Sequence, residues 1–265
     1  MKKVIKNDVS FFVSDAKQFE FFWDNVFSNH WEDFTFNILD YYLHPDKNYL
    51  DIGAWIGPTV LYAANKAKHT FSIEPDPVAF AELQKNMEMN TSIAHKITLI
   101  NKALSYQSGT KKLYKREHFG DSSSSLIPTL SDDFHTVSVS TLKEVLKEFL
   151  IEDLSLIKMD IEGGEYLLVP SMRSYLKKYK PAFYLSLHPN FLKSYMLKEC
   201  SSEKEREKTF RKRVKKLVKS LKMYEYIYDS SFHRIDQNDF LDLLLTINEP
   251  VEFLFTSTPL NTTNK

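Results

Sequence analysis

Tyr49-Leu50-Asp51-Ile52-Gly53-Ala54-Trp55-Ile56-Gly57, followed about twenty residues later by Phe71-Ser72-Ile73-Glu74-Pro75, decides the fold of this chain. An apolar run enters a glycine turn that opens a helix, and a second apolar run ends in a carboxylate. That is the layout of an α/β nucleoside-binding half.

The glycines are spaced G-x-x-x-G, not G-x-G-x-x-G, and an acid, Asp51, precedes the turn. A carboxylate at that mouth repels a pyrophosphate but attracts the ammonium and sulfonium charges of S-adenosylmethionine. The turn therefore favours that donor over NAD. Glu74 is placed to accept both ribose hydroxyls, a contact common to both cofactors.

Working outward, Phe19, Phe22, Trp23, Phe27, Phe34, Ile38, Leu39 and Tyr42 fit helical spacing, so one or two helices are expected between Asp15 and Leu43. Pro58 opens a helix running to about Lys66, and a second helix follows Thr70–Ile73 and ends near Asn90. A third strand is expected over Ile97–Leu104, then a turn at Gln107-Ser108-Gly109-Thr110 and a hairpin through Lys112–Lys115. Glu117–Asp133, polar and serine-rich, reads as a long functional loop. Val137–Val139 reads as a short strand, and Leu142–Leu150 as a helix. Leu154–Met159 and Ala182–Leu187 are apolar enough to be central parallel strands, joined by a helix over Glu165–Lys178 despite Pro170. Tyr224–Tyr228 and Val251–Phe255 form a closing antiparallel pair. The expected architecture is α/β: one Rossmann-like doubly wound sheet, mostly parallel, with an N-terminal helical cap over 1–45. The main domain covers 46–265 and includes a basic helix at about 203–222, with Phe210, Val214, Leu217 and Leu221 on one face.

With 265 residues, 43% hydrophobic, the chain can bury one full core, and a second catalytic domain is not expected. Lys plus Arg and Asp plus Glu both number 35, which leaves no global electrostatic footprint for nucleic acid or an anionic membrane. The single cysteine, Cys200, excludes an intrachain disulfide framework and fits a reducing compartment. The first residues lack the apolar core of a signal peptide, and no run is long enough to span a bilayer, so a cytoplasmic location is expected.

A second chemical cluster follows the fourth strand. Lys158-Met159-Asp160-Ile161-Glu162-Gly163-Gly164-Glu165 sets three acids at the strand edge where open α/β sheets bind ligands. Their mutual repulsion gains a structural fold nothing, although Glu162 and Glu165 could also serve as helix N-terminal acids. The fifth strand ends in His188, which brings an imidazole to the same edge.

The combination of Asp51–Gly57, Glu74-Pro75-Asp76-Pro77, Asn86 with Asn90, Ala103-Leu104 before Ser108-Gly109, and Ile157–Glu165 resembles the FkbM-type methyltransferases over about Trp31 to Asn190. The resemblance implies a class I S-adenosylmethionine-dependent fold that O-methylates sugar or polyketide hydroxyls. The family usually has Asn where this chain has Trp55, and often Glu where it has His188. Carried across, Asp51, Gly53, Ala54, Trp55 and Gly57 would hold the methionine part and Glu74 the ribose. Lys102 and Ala103 would lie beside the adenine under the Asp121-Ser122-Ser123 loop, and Glu32 would reach the cofactor's amino group or the acceptor.

Methyl transfer to a sugar hydroxyl needs a base, and Asp160 or His188 is the candidate, with Glu162 and Glu165 orienting it or the sugar. The competing use of Asp160, Glu162 and His188 is a divalent site, such as Mg²⁺. Three rival readings remain. An NAD oxidoreductase is disfavoured by the missing third glycine. A nucleic-acid methyltransferase is disfavoured by the acidic turn after strand four. A noncatalytic module would use the charged Glu203–Lys222 helix as its contact surface, toward an anionic glycan or a membrane-associated carrier; a sugar or glycan acceptor would itself be free or carrier-linked. Acceptor identity and oligomeric state have no residue code in the sequence.

Overall fold

A computed structural model describes residues 1–128 and 131–260; Thr129 and Leu130 of the expected Glu117–Asp133 loop, and residues 261–265, lie outside the described residues. The chain opens with a hairpin, β1 (Lys2–Lys6) and β2 (Val9–Val13), ahead of the expected helices. Val9, Phe11 and Val13 alternate inward, and Asn7 turns the chain in the left-handed region at φ 50°. Helix α1 (Lys17–Phe21) runs into a π-helical turn at Phe22–Val26, and α2 (Asp33–Tyr42) follows.

The nucleoside half then unfolds as expected: β3 (Asn48–Ile52), α3 (Pro58–Ala64), β4 (His69–Ile73), α4 (Pro77–Glu88), the short α5 (Thr91–Ala94) and β5 (Ile97–Ile100). The expected strand Ile97–Leu104 is broken. Asn101 Nδ2 donates to the Glu74 carbonyl at 2.9 Å, which takes the chain off the β4 ladder. Beyond it, β6 (Ala103–Leu104) and β7 (Gly109–Tyr114) do not pair with each other. Both pair with β8 (Phe134–Ser140), which lies between them in a separate three-stranded sheet.

After α6 (Leu142–Glu148), opened by a Thr141/Glu144 capping box, come β9 (Leu154–Met159), α7 (Glu165–Tyr179) and β10 (Ala182–Leu187). Two helices have no counterpart among the expected elements, α8 (Pro189–Glu199) and one between the closing strands. That last stretch runs α9 (Glu203–Leu221), β11 (Tyr226–Asp229), β12 (Arg234–Ile235), α10 (Gln237–Thr246) and β13 (Val251–Thr256).

The main sheet has the order β12-β11-β13-β10-β9-β3-β4-β5. From β10 to β5 every pairing is parallel, and β13 enters antiparallel between β10 and β11. Alternation along the strands builds a core on each face. Leu50, Ile52, Ile157 and Phe255 pack against α6–α10, while Tyr49, Leu156, Tyr184 and Leu254 pack against the hairpin and α1–α4. The expected doubly wound α/β architecture with an antiparallel close is therefore present. Among the described residues, no helix is long and apolar enough to cross a membrane.

Candidate active site

The carboxyl ends of β3, β4, β9 and β10 meet at one edge, and Gly53 sets how closely. A Cβ at Gly53 would fall 1.8 Å from the Asp160 carbonyl oxygen, and the residue sits at φ 88°. Only glycine lets the end of β9 approach, where the Asp160 N–H donates to the Ile52 carbonyl at 2.9 Å. Trp55, at φ 50°, donates its backbone N–H to Glu74 Oε2 at 2.8 Å, and the Asp76 N–H donates to Glu74 Oε1 at 2.7 Å. Two backbone donors thus aim the Glu74 carboxylate. Burial outweighs those bonds and raises the carboxyl to about 8.

Above this turn lies a cavity of about 440 Å³, within the range of small-molecule sites. Of the residues expected to hold the cofactor, Gly53, Ala54, Trp55, Glu74, Ala103, Asp121, Ser122 and Glu32 line it, together with Asp160 and Glu162. Gly57 stands behind the wall as the left-handed cap of α3, against Leu83. Asp51 corrects the electrostatic reading of the turn. It does not face the mouth but is fully buried, accepting from Tyr49 Oη at 3.0 Å and Thr59 Oγ1 at 2.5 Å, with Lys158 Nζ at 3.7 Å. Lys102 is likewise misplaced by the sequence reading. Its side chain turns outward to Glu148, at 2.6 Å, because neighbours on an extended segment point to opposite sides.

The loop after β7 is strapped to the same edge. Trp55 Nε1 donates to the Gly120 carbonyl at 2.8 Å, and Asp76 Oδ2 accepts from the Gly120 N–H at 3.0 Å and Ser124 Oγ at 2.7 Å. Asp121 closes the loop on itself, accepting from the Glu117, His118 and Ser123 N–H groups. Asp76 was missed as a site residue. Its place between two prolines after Glu74 marks a helix cap, which it is, through the Val78 and Ala79 N–H groups.

At the β9–β10 end, His188 is 5% exposed and ringed by acids. Its Nδ1 lies 3.0 Å from Glu165 Oε1, and its Nε2 lies 3.6 Å from Asp160 Oδ1 and 3.5 Å from Glu162 Oε2. Burial alone would drive the proton off, but Glu165, Asp160 and Glu162 together raise the imidazole to about 10. The surrounding acids favour the protonated imidazole, the form with no free lone pair for a proton. Burial raises Glu162 as well. Glu165 is fully buried at the start of α7, where Oε1 also accepts the Ile161 and Gly163 N–H groups at 3.1 Å each. It anchors the turn and the ring.

The atoms that approach as cation ligands are those of Asp160, Glu165 and His188, not the expected Asp160, Glu162 and His188. Ile161 and Gly163 N–H groups bond Glu165 Oε1, while Glu165 Oε2 and Asp160 Oδ1 have no hydrogen-bond partner. A second cavity, of about 500 Å³, is lined by Asp160 and His188 of this cluster. Asp160 lines both cavities.

The model of the FkbM methyltransferase domain matches residues 51–242, more than half of the chain. No curated protein matches. Among solved structures, the methyltransferase FkbM from Methylobacillus flagellatus KT is similar at 18% identity with a TM-score of 0.46, covering 80% of this chain and 44% of that one. The chain thus spans less than half the length of that protein. The O-methyltransferase from Bacillus cereus, solved with SAH, is similar at 7% identity and a TM-score of 0.43, covering 84% of this chain and 78% of that one. The precorrin-6y C5,15-methyltransferase from Geobacter metallireducens GS-15 gives 13% identity and a TM-score of 0.43, over 84% and 87%. With the domain match spanning the glycine turn, the acidic cluster and the basic helix, the chain belongs to the FkbM methyltransferase family.

Proposed function

We propose that this protein is an S-adenosylmethionine-dependent O-methyltransferase acting on a hydroxyl of a sugar, glycan or related natural product. The observation that carries the reading is that Asp160 lines both the glycine-turn cavity and the second cavity. A group transferred between two bound molecules needs such a junction.

The donor fits the first cavity through the close approach at Gly53, the Glu74 carboxylate for the ribose hydroxyls, and the strapped loop beside Ala103 for the base. When bound, it supplies a methyl group on a sulfonium. The second cavity mixes Ser186, Asp229, Ser230 and Glu252 with Leu243 and Ile247, polar groups and an apolar wall that suit a hydroxyl-rich ring. Asp160 would accept the proton of the acceptor hydroxyl as that oxygen took the methyl group that a bound donor would supply. Asp160 Oδ1 is buried, makes no hydrogen bond and lies 3.6 Å from His188 Nε2, which leaves its lone pairs without a donor. His188, already protonated, holds Asp160 and Glu162 in place and does not act as the base.

Calorimetric titration with S-adenosylmethionine and NAD separately tests the donor; binding of NAD alone would overturn the reading. Mass spectrometry of glycans from cells with and without the protein, searching for a lost methyl group, tests the acceptor.

A further inference from the structure

The zero net charge is a sum over unlike regions. Acids collect at the candidate site, whereas the exposed sides of α7 and α9 collect cations. Along α9, Phe210, Val214, Leu217 and Leu221 are buried, and the opposite stripe carries exposed Lys208, Lys212, Lys215 and Lys219, with Lys216 beside them. Its acids, Glu203, Glu205 and Glu207, stop before that stripe begins. On α7 the acid is Glu165, buried at the site, and the second half exposes Arg173, Lys177 and Lys178, with Lys180 as the cap residue. The ion pairs on this side of the molecule, Lys198 with Asp132 and Arg211 with Glu207, leave all of those cations unpaired among the described residues.

The two stripes adjoin. Helix α7 packs against α9, with the Tyr166 and Phe210 ring centres 6.5 Å apart. It leads into β10 as α9 leads into β11, and both strands are antiparallel to β13, so they run the same way. The helices therefore end at the same edge of the sheet, opposite the carboxyl ends where the candidate site lies. Helix dipoles favour cations in the last turn only. Lys208 to Lys219 extend over about three turns, and their mutual repulsion gains the fold nothing.

We propose that the joint outer face of α7 and α9 docks on an anionic membrane surface. Clustered cations on an amphipathic helix are drawn to anionic headgroups. Lysine predominates over arginine here, and its ammonium is a point charge suited to a diffuse layer of headgroups, not to the bidentate grip that reads nucleic acid. Tyr179, 57% exposed in the last turn of α7 with Lys178 Nζ 4.7 Å from its ring centre, adds an amphipathic aromatic of the kind that sits at headgroup depth. None of these residues lines either cavity, so docking leaves the candidate site open and stands apart from the proposed function.

The test is sedimentation of the full chain with vesicles of phosphatidylcholine alone and of phosphatidylcholine mixed with phosphatidylglycerol. The wild type should bind only the mixed vesicles, at about 0.01 M salt and not at about 1 M, where charges are screened within about 3 Å. Each cation at such a surface is worth about fivefold in affinity, so Lys212→Gln/Lys215→Gln/Lys216→Gln/Lys219→Gln should weaken binding by about 10²–10³-fold. Lys3→Gln/Lys17→Gln/Lys68→Gln/Lys112→Gln removes the same charge from other faces and should leave binding within about threefold. Tyr179→Ser should weaken binding with its salt dependence unchanged. Absence of binding at low salt, equal binding to both vesicles, an α9 quadruple variant that binds as the wild type does, or equal losses in the two quadruple variants overturns the docking. A Tyr179→Ser protein that binds as well as the wild type leaves a mere polyanion site and overturns the membrane assignment. So does retention of duplex DNA without retention of the mixed vesicles, which would give the face to nucleic acid.

Discussion

The two halves of the candidate site's edge solve the same problem, a buried carboxylate, by different means. At the β3–β4 half, Glu74 is held by two backbone N–H groups and has no cation against it, so burial leaves it with a raised pKa of about 8. At the β9–β10 half, three carboxylates share one imidazolium, which they hold charged up to about 10. Backbone donors aim an acid without neutralising it, which suits a group that waits for ligand hydroxyls. A shared imidazolium compensates charge while leaving one acid, Asp160, open to both cavities, which suits a group that must take up a proton.

The largest effect should come from Asp160. Asp160→Asn removes the proposed proton acceptor and should lower kcat by about 10²–10⁴-fold with S-adenosylhomocysteine affinity unchanged, measured by steady-state kinetics and calorimetry. A full-rate Asp160→Asn enzyme would break the assignment of proton uptake to this half. His188→Ala comes next and acts on stability. It leaves three acids without their cation, and removing one partner of a buried ionic group costs about 3–5 kcal/mol, read by denaturant unfolding. The sign follows from the raised imidazole. Its contribution is complete below the unfolded value of 6.5 and is lost as pH rises through 10, so the deficit should be full at pH 6.5 and shrink toward pH 10.

How legible these halves were in the sequence differs for a physical reason. The glycine turn and Glu74 are local patterns a few residues long, and both stand where the spacing put them. The hairpin was also written locally, in the alternation Val9, Phe11, Val13, but was passed over. The outward turn of Lys102 and the inward turn of Asp51 depend on which face of an extended segment each residue occupies, and a one-residue shift reverses that. The protonation of His188 was out of reach, because it depends on acids 23 to 28 positions away in the chain that meet only when β9 and β10 align. Lys158 had a usable signal: a lone cation in an otherwise apolar central strand calls for a buried counter-charge, and Asp51, its register partner on β3, stands 3.7 Å away.

A smaller effect tests the Glu74 half. With its pKa raised from 4.5 to about 8, the neutral carboxyl stabilises the unliganded fold fully below pH 4.5, and that stability is lost as pH rises through 8. The melting temperature of unliganded protein should therefore fall between pH 5 and pH 8.5, and Glu74→Gln should flatten the fall. Ribose hydroxyls prefer the ionised acid, so cofactor binding at pH 7 should release a proton from Glu74, visible by calorimetry in buffers of different ionisation heat. Glu74→Gln should abolish the release and weaken binding about tenfold.

The smallest effect expected is that of chelation. If the imidazolium is what compensates the acids, exhaustive treatment with EDTA should leave turnover within about twofold, since a cation would have to displace the His188 proton to enter. A metal-dependent enzyme would show instead a loss restored by added Mg²⁺ or Mn²⁺, together with an activity that rises with pH as the imidazole is freed to ligate. That result would overturn the contrast between the halves, because the β9–β10 acids would then be compensated by a bound ion. The two cases separate again in His188→Lys. A lysine keeps the positive charge but cannot serve at neutral pH as a ligand, so it should retain most of the stability if charge compensation is the role and lose metal response if ligation is.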